Sequence, residues 1–285
     1  MTGTLYLCAT PIGNLEDMTF RAVRILKEVD LIAAEDTRNS VKLLNHFDIH
    51  TPMTSYHEHN KYDKGKRLTE QLREGKNIAL ITDAGTPGIS DPGEELVRMC
   101  RDAGITVTAV PGAAACITAL TISGLPTRRF AFEAFLPADK KERAAVLETL
   151  EKEQRTIVMY EAPHRLVRTL KLLSEHLGDR PVSVCRELTK RYETVYESTL
   201  AKAAEYYEKN VPKGECVLVI GGISREEIEK EERGRWAEMT VEEHMEYYLS
   251  QGKDKKEAMK QTAKDRGMQK REIYNYLNRN ERERK

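Results

Sequence analysis

The sequence predicts an α/β protein of two domains followed by a charged helical extension, and three observations support this. Short apolar runs alternate with amphipathic helical patterns over the first 222 residues, as in mostly parallel sheets covered by helices. Loops rich in Gly, Pro and Ala follow several of these runs. After Gly221 and Gly222 the composition changes to highly charged helical sequence. The predicted boundaries are 1–123, 124–222 and 223–285.

The first predicted domain, 1–123, contains short apolar runs with helices between them. Ala22, Ile25 and Val29 recur at helical spacing and share one face of the first helix. The helix before Gly75 has that glycine as its C-cap. Strands are predicted at 4–9, 30–35, 52–56, 77–82 and 105–110, and helices at 19–29, 40–47, 63–74, 94–103 and 111–124, the last opened by Pro111 and Gly112.

The second predicted domain, 124–222, begins with a linker at 124–129 and is either α/β or α+β. Its apolar runs are as short as those of the first domain and end abruptly in charged residues. Strands are predicted at 130–135, 155–161, 181–187, 192–198 and 214–222, and helices at 140–152, 164–177 and 200–209.

Composition excludes several classes of protein. The 46 basic residues balance the 46 acidic ones, so net charge points to no partner. The five cysteines occur singly without a CxxC pair, which indicates reduced, buried thiols and no zinc site. The His57-Glu58-His59 run lacks a third metal ligand, so no metal is expected. Without a signal peptide or long apolar span, the protein is expected to be soluble and cytoplasmic.

The extension, 223–285, has an uneven charge distribution. Residues 225–250 contain nine acidic and four basic residues, whereas 251–285 contain twelve basic and six acidic ones. The basic part indicates either an anionic partner or a solvated helical surface. Ala263, Gly267 and Ile273 have the spacing of a helix-turn-helix, with Gly267 at the turn. This unit either docks on nucleic acid phosphates or is a structural two-helix cap.

Three loops follow predicted strands and are built to let backbone approach a ligand. They are ATPIGN at 9–14, TDAGTPGISDPG at 82–93 and VPGAAAC at 110–116. Each alone is explained by turns, but together, at the carboxyl ends of parallel strands, they predict a shared cleft. Asp91 is the predicted N-cap of the next helix, with Pro92 at its first position. The chain lacks both GxxxxGK[ST] and a GxGxxG after a strand, which disfavours phosphate-loop and dinucleotide sites.

The segments LYLCATPIGNLEDMTFRAVRILKEVDLIAAEDTR, TDAGTPGISDPG and VPGAAA resemble the tetrapyrrole methylase superfamily of S-adenosylmethionine-dependent methyltransferases. Within it they are similar to a branch that methylates small-subunit ribosomal RNA. The resemblance extends through Gly222, and the charged extension also fits that branch. It implies two α/β domains with the cofactor in the cleft between them, and a homodimer. It also implies methyl transfer to the ribose 2′-oxygen of a cytidine in the decoding region of the assembled 30S subunit.

The same resemblance implies which residues bind S-adenosylmethionine. The three loops supply most of them, and strand ends of the second domain complete the site. These residues are Pro11, Ile12, Gly13, Asp83, Ala84, Gly85, Thr86, Pro87, Ile89, Ser90, Ala113, Ala114, Tyr160, Gly214, Glu215 and Val217.

Charged residues at two strand ends of the second domain, 160–165 and 185–193, suggest roles in chemistry and RNA binding. A ribose hydroxyl is a weak nucleophile that needs a group to orient it or accept its proton. Glu161, Glu187 and Lys190 are the candidates, although salt-bridged surface turns explain the same pattern. The predicted RNA contacts are Arg38, Arg165, Arg186, Arg191, Lys270 and Arg271, with Lys190 as a further phosphate contact. The polar segment at 34–40 has two interpretations. Either Asp36 or Thr37 caps the following helix, or Arg38 faces the substrate cleft.

Two other functions are compatible with these features. One is a tetrapyrrole or other small-molecule methyltransferase of the same fold, which the basic extension and the long second loop disfavour. The other is a ligand-sensing nucleic-acid-binding regulator, which would bind DNA tightly without turnover.

Overall fold

The computed structural model describes residues 2–224, 226–228, 236 and 239–283, with side chains described as far as 277. The described chain forms two compact units, Met1–Gly222 and Ile223–Lys285. The second unit begins at the residue where the extension is predicted to begin, and the predicted boundaries stay a prediction. Most of the segment from 225 to 238 lies outside the described residues.

The first sheet is parallel throughout and has the strand order β3-β2-β4-β1-β5. All four residues of its central strand β4 are buried, as expected where helices cover both faces. The strands are β1 (Thr4–Cys8), β2 (Leu31–Ala34), β3 (Met53–Ser55), β4 (Ile78–Ile81) and β5 (Thr106–Val110). The helices are α1 (Phe20–Glu28), α2 (Thr37–His46), α3 (Lys61–Arg73), α4 (Gly93–Asp102) and α5 (Ala115–Ile122).

The second sheet has the order β6-β7-β10-β8-β9 and is antiparallel except where β6 pairs with β7. Its last strand in sequence, β10, lies at the centre, and all five of its residues are buried. The strands are β6 (Phe130–Phe132), β7 (Thr156–Glu161), β8 (Pro181–Arg186), β9 (Thr194–Thr199) and β10 (Cys216–Ile220). The helices are α6 (Lys140–Glu151), α7 (Leu166–Leu177) and α8 (Leu200–Lys209).

Helix α5 connects the two halves of the first unit. Cys116, Ala119 and Leu120 pack in one buried cluster with Val158 of β7 and Val219 of β10, so this helix packs on the second sheet. Helix α5 thus follows the last strand of the first sheet but packs on the second sheet, and the predicted domain boundary at 123 stays a prediction.

Several predicted element limits are wrong by a few residues, for local reasons. Helix α5 begins at Ala115 and not at Pro111, because Ala114 is still extended at φ −143°. Helix α2 begins at Thr37 and not at residue 40, because the Asp36 carboxylate accepts the Arg38 amide and caps the helix there. Strand β6 ends before Ala134, whose φ of +50° interrupts the extended backbone.

The second unit contains α9 (Val241–Ser250), α10 (Lys255–Asp265) and α11 (Lys270–Glu283) around a small apolar core. Ala263 and Ile273 are buried in this core. Gly267 has a φ of +64° in the turn between α10 and α11. The predicted spacing of small residue, turn glycine and apolar residue thus corresponds to two packed helices.

In the described part of the chain, no helix combines the length and the apolar character needed to cross a membrane. All five cysteines are buried and free of disulfides.

Candidate active site

A cavity of about 390 Å³ lies where the carboxyl ends of β1 and β4 meet the edge of the second sheet. This volume is within the range of small-molecule sites in proteins. The loops at 9–14, 82–92 and 111–114 follow three adjacent parallel strands, β1, β4 and β5, and therefore lie at one edge of the sheet. The lining residues are Ile12, Glu35, Thr82, Ala84, Gly85, Thr86, Ile89, Ser90, Asp91, Ala114, Ala115, Phe135, Tyr160, Glu161, Ala162, Pro163, Leu188, Glu215, Cys216 and Val217.

Backbone pairing joins the first and second loops. The Thr10 amide donates to the Gly85 carbonyl at 2.9 Å, and the Gly85 amide donates back to the Thr10 carbonyl at 3.1 Å. Gly85 has a φ of +84°, which side chains rarely tolerate. A Cβ there would lie 3.3 Å from Cγ2 of Ile12. Glycine is therefore required at this point of the cavity wall.

Hydroxyl and carboxylate groups brace the second loop. The Thr86 hydroxyl donates to the Ala113 carbonyl at 2.9 Å, which ties this loop to the third. The Asp91 carboxylate accepts the Gly88 amide at 2.9 Å and the Gly93 amide at 2.7 Å. Pro92 occupies the N-cap position, one residue later than predicted, yet Asp91 still satisfies an amide of the first turn of α4.

Carboxylates contribute negative charge to the first-sheet side of the cavity. Glu35 accepts the Thr82 hydroxyl at 2.5 Å, and both residues line the cavity. Burial raises the pKa of Asp91, with the nearby Glu35 acting in the same direction. Asp83 instead accepts the Asp36 amide at 3.2 Å outside the lining, and burial likewise raises its pKa.

On the second-sheet side, Tyr160 and Glu161 form the end of β7. The Tyr160 ring lies 5.0 Å from the Phe132 ring, edge to face, and burial raises the pKa of its hydroxyl. The Glu161 side chain is only 1% exposed. Its carboxylate accepts the Thr169 hydroxyl at 2.5 Å and the Ala162 amide at 2.8 Å, and it lies 3.3 Å from Nε of Arg165.

Lys190 is shared by two carboxylates beside the cavity. Its Nζ lies 3.1 Å from Oε1 of Glu187 and 3.0 Å from Oε2 of Glu215. Burial opposes ionisation of Glu187, but hydrogen bonds from Lys190 and the Glu215 amide outweigh it and lower the pKa of Glu187. Burial of Lys190 is likewise outweighed by its two carboxylate partners, so the pKa of Lys190 is raised.

Two predicted glycines lie against this ion-paired cluster. A Cβ on Gly13 would lie 2.4 Å from Cγ of Lys190, and one on Gly214 would lie 1.9 Å from Oε1 of Glu187. The first loop therefore packs closely against the Lys190 side chain, and the loop before β10 packs closely against the Glu187 side chain.

Most predicted cofactor residues line the cavity, and the others lie in the same loops. Those that line it are Ile12, Ala84, Gly85, Thr86, Ile89, Ser90, Ala114, Tyr160, Glu215 and Val217. Those outside the lining are Pro11, Gly13, Asp83, Pro87, Ala113 and Gly214. Of the predicted catalytic residues, Glu161 lines the cavity, whereas Glu187 and Lys190 lie next to its Leu188 and Glu215.

Sequence reasoning did not assign several lining residues to the cofactor site. Glu35 ends a predicted strand, and this position indicates a place at the cleft. No feature of the sequence around Phe135 or Leu188 indicates that they line a cavity. The residues missed are Glu35, Thr82, Asp91, Ala115, Phe135, Ala162, Pro163 and Leu188, whereas Cys216 lies in the segment 214–217 that was predicted to complete the pocket.

The predicted RNA-binding arginines of the first unit do not line the cavity. The Arg38 side chain is 88% exposed and pairs with Asp36. Arg165 is held internally by Glu161 and by the Leu136 carbonyl. Arg186 donates to the Thr194 hydroxyl, and the Arg191 guanidinium lies over the Tyr192 ring. The two predicted RNA contacts of the second unit, Lys270 and Arg271, are exposed at the start of α11.

Left-handed backbone at residues other than glycine occurs repeatedly around the cavity. Ser90 lines it with a φ of +62°, and Ala134 at +50° precedes the lining residue Phe135. Glu187 at +51° and Thr189 at +66° flank the lining residue Leu188. Such strain persists only where surrounding structure enforces it, and it often occurs at functional sites.

Curated relatives are similar over almost the whole chain. It is 54% identical over 273 residues to the ribosomal RNA small subunit methyltransferase I of Halalkalibacterium halodurans, covering 96% of this chain and 94% of that protein. It is 50% identical over 272 residues to the protein of the same name from Bacillus subtilis, covering 95% and 93%.

Solved structures have the same fold at low identity. Diphthine synthase matches with a TM-score of 0.62 and 12% identity, covering 77% of this chain and 90% of that one. A Thermus thermophilus uroporphyrin-III C-methyltransferase complexed with S-adenosyl homocysteine matches with a TM-score of 0.55 and 22% identity, covering 77% and 97%. The family model for Tetrapyrrole (Corrin/Porphyrin) Methylases matches residues 4–204. The chain therefore belongs to the tetrapyrrole methylase family of S-adenosylmethionine-dependent methyltransferases.

Proposed function

We propose that this enzyme methylates the ribose 2′-oxygen of a cytidine in the decoding region of small-subunit ribosomal RNA, acting as a homodimer on the assembled 30S subunit. One observation favours RNA over a small molecule as the substrate. The similarity to ribosomal RNA methyltransferases covers 96% of the chain and so reaches into the second unit, whereas the solved uroporphyrin-III methyltransferase covers 77%.

The residues that line the cavity suit S-adenosylmethionine. Small side chains such as Ala84, Ala114 and Ala115 let the backbone of two loops approach a flat ring system closely. Glu35 and Asp91 line the cavity and would supply negative charge to a cofactor whose sulfonium and ammonium groups are positive. When bound, the cofactor supplies an activated methyl group, and the protein supplies position and electrostatics.

Glu187 is the side chain that we place at the acceptor hydroxyl. Its Oε1 is held by the Lys190 ammonium and the Glu215 amide, each at 3.1 Å, which fixes the carboxylate orientation. Its lowered pKa keeps it ionised, so with the methyl donor bound it would accept the 2′-hydroxyl proton while the methyl group passes from sulfur to that oxygen and the neutral thioether leaves. Lys190 remains protonated because its pKa is raised, so it positions Glu187 and does not act as a base.

Glu187→Gln is expected to lower kcat by at least about 100-fold, because general-base catalysis typically contributes that much. S-adenosylmethionine affinity should be unchanged, since Glu187 lies outside the cavity lining. Single-turnover methylation of small subunits measures the first quantity, and calorimetric titration of the cofactor measures the second. Wild-type kcat in this variant would remove Glu187 from the chemistry.

Exposed cations on the second unit fit an RNA contact surface. Lys256, Lys260 and Lys264 recur at one-turn spacing along α10 and are exposed. Lys270 and Arg271 are exposed at the start of α11. Cations in this arrangement bind phosphates of a folded RNA without reading its sequence.

Replacing both Lys270 and Arg271 with alanine is expected to weaken binding to small subunits. The plot of log affinity against log salt should become less steep by roughly 1 to 2, because two phosphate contacts are lost. Filter binding at several salt concentrations measures the slope. Alanine at Lys66 and Arg67, both exposed on α3, is the matched control and should leave the slope unchanged. Equal slopes in the two double variants would contradict the proposed contact.

The main experiment supplies labelled S-adenosylmethionine with assembled small subunits, naked ribosomal RNA or a porphyrinoid. The expected result is methylation of the assembled subunit, mapped to the 2′-oxygen of a single cytidine. Methylation of the porphyrinoid alone, or tight DNA binding without turnover, would overturn the proposal. Analytical ultracentrifugation at micromolar concentration tests the homodimer.

A further inference from the structure

A half-exposed aromatic ring lies at the mouth of the cofactor cavity. Phe135 lines the cavity, yet the residue is 49% exposed. Its ring lies 5.6 Å from the Tyr160 ring, tilted by 57°, and the Tyr160 ring in turn contacts Phe132. The Phe135 ring is thus supported by the Tyr160 ring, while about half of the residue stays open to an incoming molecule.

The backbone on both sides of Phe135 is fixed. Ala134 is held at a φ of +50°, and its carbonyl accepts the Tyr160 amide at 2.7 Å. On the other side Leu136 is buried, and its carbonyl accepts a guanidinium hydrogen bond from Arg165 at 3.1 Å. A strained residue and two hydrogen bonds therefore hold an exposed apolar ring in a defined place.

The first-sheet side of the cavity presents a second exposed apolar group. Ile89 belongs to the loop after β4, lines the same cavity and is 38% exposed. The following residue, Ser90, is also held in a left-handed conformation. Each half of the first unit thus contributes to a single cavity one exposed apolar side chain that lies next to a left-handed residue.

We propose that Phe135 stacks on the base of the nucleotide whose ribose is methylated. This inference rests on the proposed function and names a substrate-positioning residue for it. Every base has a flat apolar face that stacks on an aromatic ring, and single-stranded or splayed RNA is commonly recognised in this way. Stacking at the cavity mouth places the attached ribose at the opening, where its hydroxyl faces the methyl donor.

The exposure of the ring favours the substrate base over the cofactor adenine as its partner. The loops that enclose the cavity present Ala84, Ala114 and backbone, which suit a ligand that is enclosed. Phe135 is half open to solvent, as expected of a group that meets a large substrate arriving from outside. We therefore assign Phe135 to the substrate base and the enclosing loops to the cofactor.

The test compares Phe135→Ala, Phe135→Leu and Phe135→Tyr with wild-type enzyme on assembled small subunits. Alanine is expected to lower kcat/KM for the subunit by roughly tenfold or more, as for other base-stacking aromatics. Leucine is apolar but not flat, so Phe135→Leu should show a similar loss of kcat/KM. Phe135→Tyr keeps a flat aromatic ring and should retain most of the wild-type kcat/KM. The dissociation constant for S-adenosylmethionine should stay within twofold of wild type in all three variants.

Phe20→Ala is the matched control, because Phe20 is exposed on α1 and lies outside this cavity. It should leave kcat/KM unchanged. If Phe135→Ala weakens cofactor binding in proportion to activity, the ring belongs to the cofactor site and the inference fails. Wild-type kcat/KM in Phe135→Ala, or full rescue by leucine, also overturns it. A wild-type enzyme that does not methylate small subunits would instead refute the proposed function, so the two failures are distinguishable.

Discussion

Glu161→Ala is expected to lower the free energy of unfolding by about 3 kcal/mol, because it removes the acceptor at the centre of a buried polar cluster. The Thr169 hydroxyl and the Ala162 amide both donate to this carboxylate, and Arg165 lies beside it. Thr169 is buried and would lose this acceptor, whereas Arg165 is partly exposed and can turn to water. The loss therefore falls near the lower end of that seen for broken buried ion pairs.

Equilibrium unfolding in urea, followed by circular dichroism, measures this loss. Two further variants separate its causes. Glu161→Gln keeps the size of the side chain and an oxygen acceptor, so it should cost less than half as much. Thr169→Val removes one hydrogen bond without leaving a charge unpaired, and should cost about 1 kcal/mol. A change below about 0.5 kcal/mol for Glu161→Ala would show that the cluster is not structural.

Gly85→Val is expected to weaken S-adenosylmethionine binding by at least about tenfold, on top of a loss of stability. A β-branched residue at a φ of +84° is strained by roughly 1 to 2 kcal/mol or more. Its side chain would also lie against Ile12 and project where the first two loops pair. The cavity wall must then move, which changes the space that the cofactor occupies.

Gly88 offers a matched control for this substitution. It has the same φ of +84°, but a Cβ there would meet no atom within 4 Å, and Gly88 does not line the cavity. Gly88→Val should therefore lose similar stability and keep its cofactor affinity. Calorimetric titration of S-adenosylmethionine, with thermal unfolding alongside, compares the two variants. Equal affinities would show that Gly85 serves the backbone turn and not the cofactor.

Local sequence patterns were sufficient for most elements and for the three loops. Four-residue buried runs such as Ile78–Ile81 are typical of central parallel strands, and the Gly- and Pro-rich loops after them predicted the cleft. The sequence could not give the order of the second sheet, because β10 pairs with β7 and β8 across long stretches of chain. For the same reason nothing local indicated that α5 packs on that sheet.

Individual site residues could be predicted only where the neighbouring sequence determines their position in the cavity. Ile12, Gly85 and Thr86 belong to unusual loops, so their placement in the cavity followed from the loops. Phe135 was counted as part of a predicted strand, and only the left-handed Ala134 turns it into the cavity mouth. The sharing of Lys190 by Glu187 and Glu215 depends on residues 25 positions apart.

Because β10 is the central strand of the second sheet, the cavity can be completed only late in translation. Strands β7 and β8 do not pair with each other, since each pairs with β10 between them. A nascent chain that ends before Cys216 therefore has two apolar strands without their common neighbour. It also lacks Glu215 and Val217 from the cavity wall. The second sheet is completed only after residue 220 has left the ribosomal tunnel, so the full cavity wall is available to the cofactor only from that point.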